Sequence, residues 1–353
     1  MIQPEGINLV FHSIRAGGGM ERYVLDVIEE LARRGIRVRG IARKTRWPGM
    51  LPAGVELVVV PDRTPFSRLN NYLFEQKALD YCQPAWPTIG ISRVVGRVDL
   101  AIVGGTHIGH LKDKGKTRWG VFDRLTVAHE RGLYANAGHI VAHSARVRDE
   151  ITSLYTVPAG KVSTLYPPVD TIKFNLGARA SRERVRKELG IRDDQFMLLF
   201  PSNNHKLKGA DLILAAMEGY GDRVVLAVAG KAPLDAPGVL NLGMRQDMPE
   251  LYGAADATIL ASKYEAFGLV GPESILCGTP AMLASNIGAV EALRSPGLVV
   301  FERSIVSLRA AMKLLQGNSS SVAITKPSDS IVYPYSLEAH VDALLLKVAH
   351  GFH

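Results

Sequence analysis

Two glutamates, Glu265 and Glu273, bracket the run Glu-Ala-Phe-Gly-Leu-Val-Gly-Pro-Glu. Phe267-Gly268 would turn the chain into a short helix. The first N–H groups of a helix have no intrahelical partner, so a helix start attracts anions. Carboxylates beside it cannot hold phosphate. They can accept hydrogen bonds from hydroxyls on either side of one. Sugar hydroxyls, a diphosphate and ribose hydroxyls follow in that order along a nucleotide-sugar, so the stretch points to a donor-sugar site. The plain alternative is two surface acids, one near a helix N-terminus, where acids are favoured anyway. Gly271-Pro272 suits only the first turn of a helix. That places the start around Leu269 and turns the Gly268 and Leu269 amides toward a ligand.

Three other stretches carry chemistry. Ser202-Asn-Asn-His-Lys206-Leu-Lys208-Gly209 follows an apolar strand pattern and precedes a helical one. Its two lysines would cradle a diphosphate and stabilise charge on a leaving group; the alternative is an exposed basic loop. Gly17-Gly18-Gly19 lies between the first strand and the first helix, where glycine lets backbone amides approach a phosphate. It is not a Gly-x-Gly-x-x-Gly fingerprint. Arg43 and Lys44, not an acid, follow the second strand, so a nicotinamide dehydrogenase is disfavoured. In the Gly104-Gly-Thr-His107-Ile-Gly-His110 loop, two histidines would orient a hydroxyl or carry protons. His107, nearer the strand end, is the preferred site residue. Spacing indicates no third zinc ligand, and no Asp-x-Asp occurs, so lysines and helix ends are expected to neutralise the phosphates with no metal and no cofactor.

These stretches need positioning. Residues 6–12, a glycine loop, a helix with Tyr23, Val24, Val27, Ile28 and Leu31 on one face, and residues 36–42 form a βαβ unit with a parallel sheet. Strands 57–60, 100–103 and 140–142 follow, then a helix over 144–154. Tyr166-Pro-Pro-Val-Asp170 cannot be helical and marks a junction. A second alternation follows: helix 181–189, strand 196–200, helix 210–217, strand 224–229, strand 257–260, strand 281–284 and helix 307–315. A last helix spans 336–349. The expected fold is α/β, with two doubly wound parallel-sheet domains facing across a cleft. Ligands in such folds bind on loops after the strands.

The chain has 353 residues, 47% hydrophobic and 22% charged, the make-up of a globular protein of two domains. No apolar run reaches the ~20 residues that span a bilayer. Two cysteines, Cys82 and Cys277, fit a reducing cytoplasm. Much of the net charge of +8 lies in Arg33, Arg34, Arg37, Arg39, Arg43, Lys44 and Arg46, with no acid among them. This cluster would meet an anionic partner such as the inner face of the cytoplasmic membrane, or else be a solvated helix end and strand edge. It lacks the aromatics of a nucleic-acid platform, and no nucleic-acid partner is expected.

Together, Glu265 with Glu273, Lys206-Leu-Lys208-Gly209, Gly18-Gly19, Val141-Ala-His-Ser144, Tyr166-Pro-Pro-Val-Asp170 and the stretch 247–256 resemble the GT-B glycosyltransferases of family 4. The flavour is that of bacterial lipopolysaccharide-core glucosyltransferases. The resemblance covers almost the whole chain. It implies two Rossmann-like domains: an acceptor-side domain over 1–166 and a donor-binding domain over 167–334, with 335–353 crossing back to the first. It also implies metal-independent transfer of a hexose, with retention, from a UDP-sugar to a glycan, lipopolysaccharide-core or glycolipid acceptor. Carried over by position, Glu265 would bind the donor sugar and Glu273 the ribose. Lys206, Lys208 and the Gly268 and Leu269 amides would hold the diphosphate, Gly19 would close on the same phosphates, and Gly18, Ser202 and Phe267 would also bind the donor. His107 would sit beside the reacting sugar. Alternatives on the same scaffold are a nucleotide-sugar 2-epimerase and a non-catalytic sugar-nucleotide binder. The segment from His107 to His143 is shorter than in many members, which bears on the acceptor.

Overall fold

The computed structural model describes residues 4–317 and 323–350. The chain divides into two compact units, Met1–Pro168 with Pro334–His353, and Val169–Tyr333. Each is built on one parallel sheet. In space, the seven strands of the first run Val55–Val59, Arg37–Ala42, Gly6–Val10, Thr88–Gly90, Val98–Val103, Ala137–Ala142 and Val162–Thr164. The six strands of the second run Val239–Gly243, Val224–Ala229, Phe196–Pro201, Ala257–Leu260, Ala281–Ala284 and Leu298–Phe301. Every neighbouring pair in both sheets is parallel. Parallel strands covered on both faces read as apolar runs, and Phe196–Pro201 is buried except at its final proline.

Both sheets reverse their winding between the first strand of the unit and the fourth. In the second unit the reversal falls between Phe196–Pro201 and Ala257–Leu260. Loops leaving the carboxyl ends of such a pair open onto the ligand crevice of this fold. One of these loops carries Lys206 and Lys208; the other carries Glu265 and leads into the helix Val270–Leu276, which holds Glu273.

The expected strands and helices form with small shifts at their ends. The last helix, Leu337–His350, packs with the helix Gly19–Arg33, and its Val341, Leu344 and Val348 join the core of the first unit. Buried His340 fastens it. Nδ1 of His340 faces the Tyr166 carbonyl at 3.0 Å, so that nitrogen carries the proton, and Nε2 accepts from the Tyr23 hydroxyl at 2.9 Å.

Two helices have no periodic apolar pattern to announce them: Ser67–Lys77 and Val121–Asn136. Each turns polar residues inward. Asn70 and Glu75 are buried on the first, His129 and Glu130 on the second. The stretch expected as a loop over 104–110 is partly helical. Thr106 caps the helix His107–Asp113 by accepting from the Gly109 amide at 3.1 Å.

Candidate functional site

The two loops of the second unit are locked to each other. The turn His205–Lys208 ends at Gly209, whose φ of +80° is the left-handed region that glycine tolerates. A Cβ on Gly209 would lie 2.1 Å from the Ala261 carbonyl oxygen, so the basic turn rests directly on the exit of the strand Ala257–Leu260. The Lys263 amide donates to the Leu207 carbonyl at 2.9 Å. Across this seam Lys208 Nζ meets Glu265 Oε2, which also accepts from the Ser262 hydroxyl at 3.3 Å. Both side chains are about a quarter exposed, which keeps them within reach of a ligand. Lys206 is exposed on the same turn.

Beyond Glu265 the chain turns at Gly268, with φ +99°. A Cβ there would come within 3.0 Å of Ile287. Leu269 then caps the helix Val270–Leu276, close to the expected start. The alternative of two surface acids fails, because Glu273 is only 5% exposed. The buried Tyr252 hydroxyl donates to Glu273 Oε2 at 2.9 Å. Tyr252 is held in turn: Thr279 donates to its carbonyl at 2.7 Å. Tyr252 gives no signal in the sequence, since nothing within the stretch 247–256 ties it to Glu273.

Two residues expected to touch the donor are placed otherwise. Ser202 is buried, with its hydroxyl 2.8 Å from His205 Nδ1. His205 Nε2 faces the Ala232 carbonyl at 2.8 Å, so Nε2 holds the proton and Ser202 donates to Nδ1. Its hydroxyl therefore braces the basic turn. The Phe267 ring is 4% exposed and packs edge-on against Tyr333; its carbonyl accepts from the Ala289 amide at 2.8 Å. Phe267 supports the Gly268 turn from the core side.

In the first unit, Gly18 precedes and Gly19 begins the helix Gly19–Arg33. A Cβ on Gly104 would lie 2.8 Å from Met20 Sδ, which places the glycine loop against the stretch leading to His107. A Cβ on Gly19 meets nothing within 4 Å, so internal packing does not demand glycine there.

His107 opens its helix. Its amide donates to both oxygens of Glu130 at 3.1 Å, and its Nε2 lies 3.0 Å from Asp123 Oδ1. Asp123 also accepts from Lys116 and from the Gly120 amide, and these contacts hold its carboxyl below the usual range. Burial pushes Glu130 up to about 7, although Tyr155 donates to it. Burial works against ionising Glu75 as well. Hydrogen bonds from His12 and His129, with the charge of Arg93, outweigh it and hold Glu75 at about 2. His107 and His110 share one short helix and line one cavity of about 470 Å³, along with Tyr72, Glu75, Arg93 and Asp123. Of these, only the two histidines were legible in the sequence; the others sit on the helices that showed no periodicity or on the loop holding Arg93.

The basic run over 33–46 is largely neutralised, which favours the solvated helix end and strand edge over the anionic partner. Its acids come from elsewhere in the unit. Arg33 and Arg34 share Glu30, and Arg34 also reaches Asp342. Arg37 pairs with Glu5, Arg39 with Glu56, and buried Arg43 with Asp62. Lys44 and Arg46 are exposed. Among the described residues no helix is long and apolar enough to cross a membrane.

Two parallel-sheet, Rossmann-like units with these loops define the GT-B glycosyltransferase class. The chain matches the family models described as Glycosyltransferase Family 4 over residues 17–173 and Glycosyl transferases group 1 over 181–321. A probable transglycosylase of Burkholderia thailandensis is 39% identical over 302 residues, covering 84% of this chain and 82% of the relative. Among solved structures, WaaG, a glycosyltransferase involved in lipopolysaccharide biosynthesis, superposes with a TM-score of 0.77 at 19% identity, over 96% of this chain and 99% of that one. HepE of Anabaena, solved with UDP and glucose, superposes at 0.70 and 16% identity, over 98% of this chain and 99% of that one. The chain belongs to the family 4, group 1 glycosyltransferases, and it is a transferase enzyme.

Proposed function

We propose that this enzyme moves a hexose from a UDP-sugar to a glycan or glycolipid acceptor, such as a lipopolysaccharide core, with retention of anomeric configuration and without a metal. One observation carries the reading. Lys208 and Glu265 pair across two hydrogen-bonded loops at the winding reversal of the second sheet. A cation and a hydroxyl acceptor side by side match the junction of a diphosphate and a sugar. Glu265 would take sugar hydroxyls, buried Glu273 the ribose, and Lys206, Lys208 and the Gly268 and Leu269 amides the diphosphate. Gly18 and Gly19 would bring further amides to the phosphates. His107 is assigned to the acceptor hydroxyl.

In the proposed reaction the bond between the anomeric carbon and the β-phosphate oxygen breaks, UDP leaves with the electron pair, and the acceptor oxygen bonds to that carbon. One of the diphosphate oxygens takes the proton of the attacking hydroxyl on the same face of the sugar. Charge grows on the leaving group in the transition state, so fixed lysines there lower the barrier more than they tighten ground-state binding. With the arginines of 33–46 mostly paired, anionic membrane binding through that segment falls to Lys44 and Arg46 and is expected to be weak.

A melting-temperature panel of nucleotide-sugars tests donor choice, because a ligand that binds only the folded form raises the transition. A UDP-sugar should raise it most, with or without EDTA. Incubation with acceptor, followed by NMR of the product anomer, tests transfer and retention. Epimerised sugar released with no acceptor present would replace this reading with a 2-epimerase.

A further inference from the structure

The 470 Å³ cavity beside His107 has a charge imbalance that its own residues leave uncancelled. Its two carboxylates are matched: Asp123 by Lys116 and His107, Glu75 by His12, His129 and Arg93. Arg68 and Lys114 line the same cavity, both exposed. Among the described residues neither has a carboxylate within ion-pair distance. The Arg68 guanidinium lies over the Phe122 ring, 5.7 Å from its centroid, which ties the start of the helix Ser67–Lys77 to the start of Val121–Asn136 at the cavity rim. The segment Lys112-Asp-Lys114-Gly-Lys116-Thr-Arg118 adds to the positive field, its one acid being paired with Arg146.

Surplus charge and shape decide what fits. The volume is that of a small-molecule site. Tyr72, stacked at 4.5 Å on His129, and Phe122, beneath the Arg68 guanidinium, put two aromatic rings in the lining, a surface that suits the C–H side of a sugar. Two uncancelled cations exceed what one carboxylate needs. They match a phosphate monoester, which carries about −1.5 to −2 at pH 7 and suits the planar fork of an arginine. Resting on the transferase reading above, we infer that the acceptor is a phosphorylated saccharide, its phosphate held by Arg68 and Lys114 and its reacting hydroxyl near His107.

The test is a titration of the full chain by calorimetry. Saturating UDP is added first to fill the donor site. Glucose, glucose 1-phosphate and glucose 6-phosphate are then titrated into the wild type and into the Arg68→Gln/Lys114→Gln double variant. At least one phosphosugar should bind at least tenfold more tightly than glucose. The double variant should lose at least tenfold for that phosphosugar, while UDP affinity stays within twofold and the melting temperature is unchanged. Equal binding of glucose and both phosphosugars, or a double variant that binds like the wild type, would overturn the inference. So would cosedimentation with phosphatidylglycerol vesicles that the double variant loses while phosphosugar binding persists, because the charge would then serve a lipid headgroup. Failure of UDP to bind would count against the donor reading alone, since loss in the double variant still assigns the phosphosugar to this cavity.

Discussion

The Lys208–Glu265 loops of the second unit and the charged cavity of the first are built by different means. The former takes its candidate groups from two short runs of consecutive residues, 202–209 and 265–273, each leaving a strand of the same sheet. Glycines at positive φ, Gly209 and Gly268, set the turns. The latter takes its groups from the helices Ser67–Lys77, His107–Asp113 and Val121–Asn136 and from loops, joined by side-chain ion pairs. A site made of turns fixes backbone amides and varies little in shape. A site made of side chains on helices can change its charge one residue at a time. The contrast matches the roles proposed for the two regions, donor binding at the turns and acceptor binding in the cavity.

The comparison breaks first at Lys208. Lys208→Ala should cut turnover ~10²–10³-fold, as loss of a transition-state charge partner does. Donor affinity should change only a few-fold in calorimetry. Unchanged turnover would remove the lysine from the chemistry.

Tyr252→Phe comes next. It strips a hydrogen bond from the buried carboxylate of Glu273 and should lower stability by ~1.5–3 kcal/mol in urea unfolding. A neutral result would mean that Glu273 does not depend on Tyr252.

Gly19→Ala separates packing from ligand approach. The position has room for a methyl group, so the melting temperature should hold. Transfer should fall about tenfold if a phosphate lies against that amide, a modest misplacement by the scale of positioning effects. Full activity would take Gly19 out of the donor site.

The smallest effect concerns Glu130. Its carboxyl is raised by burial, so the fold prefers it protonated. Its favourable contribution is whole below the ordinary value of 4.5 and is lost as pH rises through about 7. Glu130→Gln should therefore gain on the wild type in melting temperature between pH 4.5 and 7. A constant difference across that range would show that Glu130 titrates normally.

The same contrast explains what the sequence could tell. Strands such as Val224–Ala229 and Ala257–Leu260 were legible to the residue, because parallel strands buried on both faces are unbroken apolar runs. Glu265, Glu273 and the lysine pair were legible because they sit in consecutive residues at a strand exit. The helices Ser67–Lys77 and Val121–Asn136 were not. Their inward faces carry Asn70, Glu75, His129 and Glu130, so the groups that build the cavity are those that erase the apolar period. Ser202 and Phe267 show the converse limit. Both lie in the right stretch, yet their side chains face the core and brace the turn from behind. The arginines of 33–46 have no acid among them in sequence, while their partners Glu5, Glu56, Asp62 and Asp342 come from other segments of the unit.

A crystal structure with UDP tests the donor assignment most directly. The account predicts diphosphate oxygens within about 3.2 Å of Lys208 Nζ and of the Leu269 amide, and a ribose hydroxyl hydrogen-bonded to Glu273. UDP seated away from the Lys208 and Gly268 turns, with the Lys208–Glu265 pair undisturbed, would contradict it.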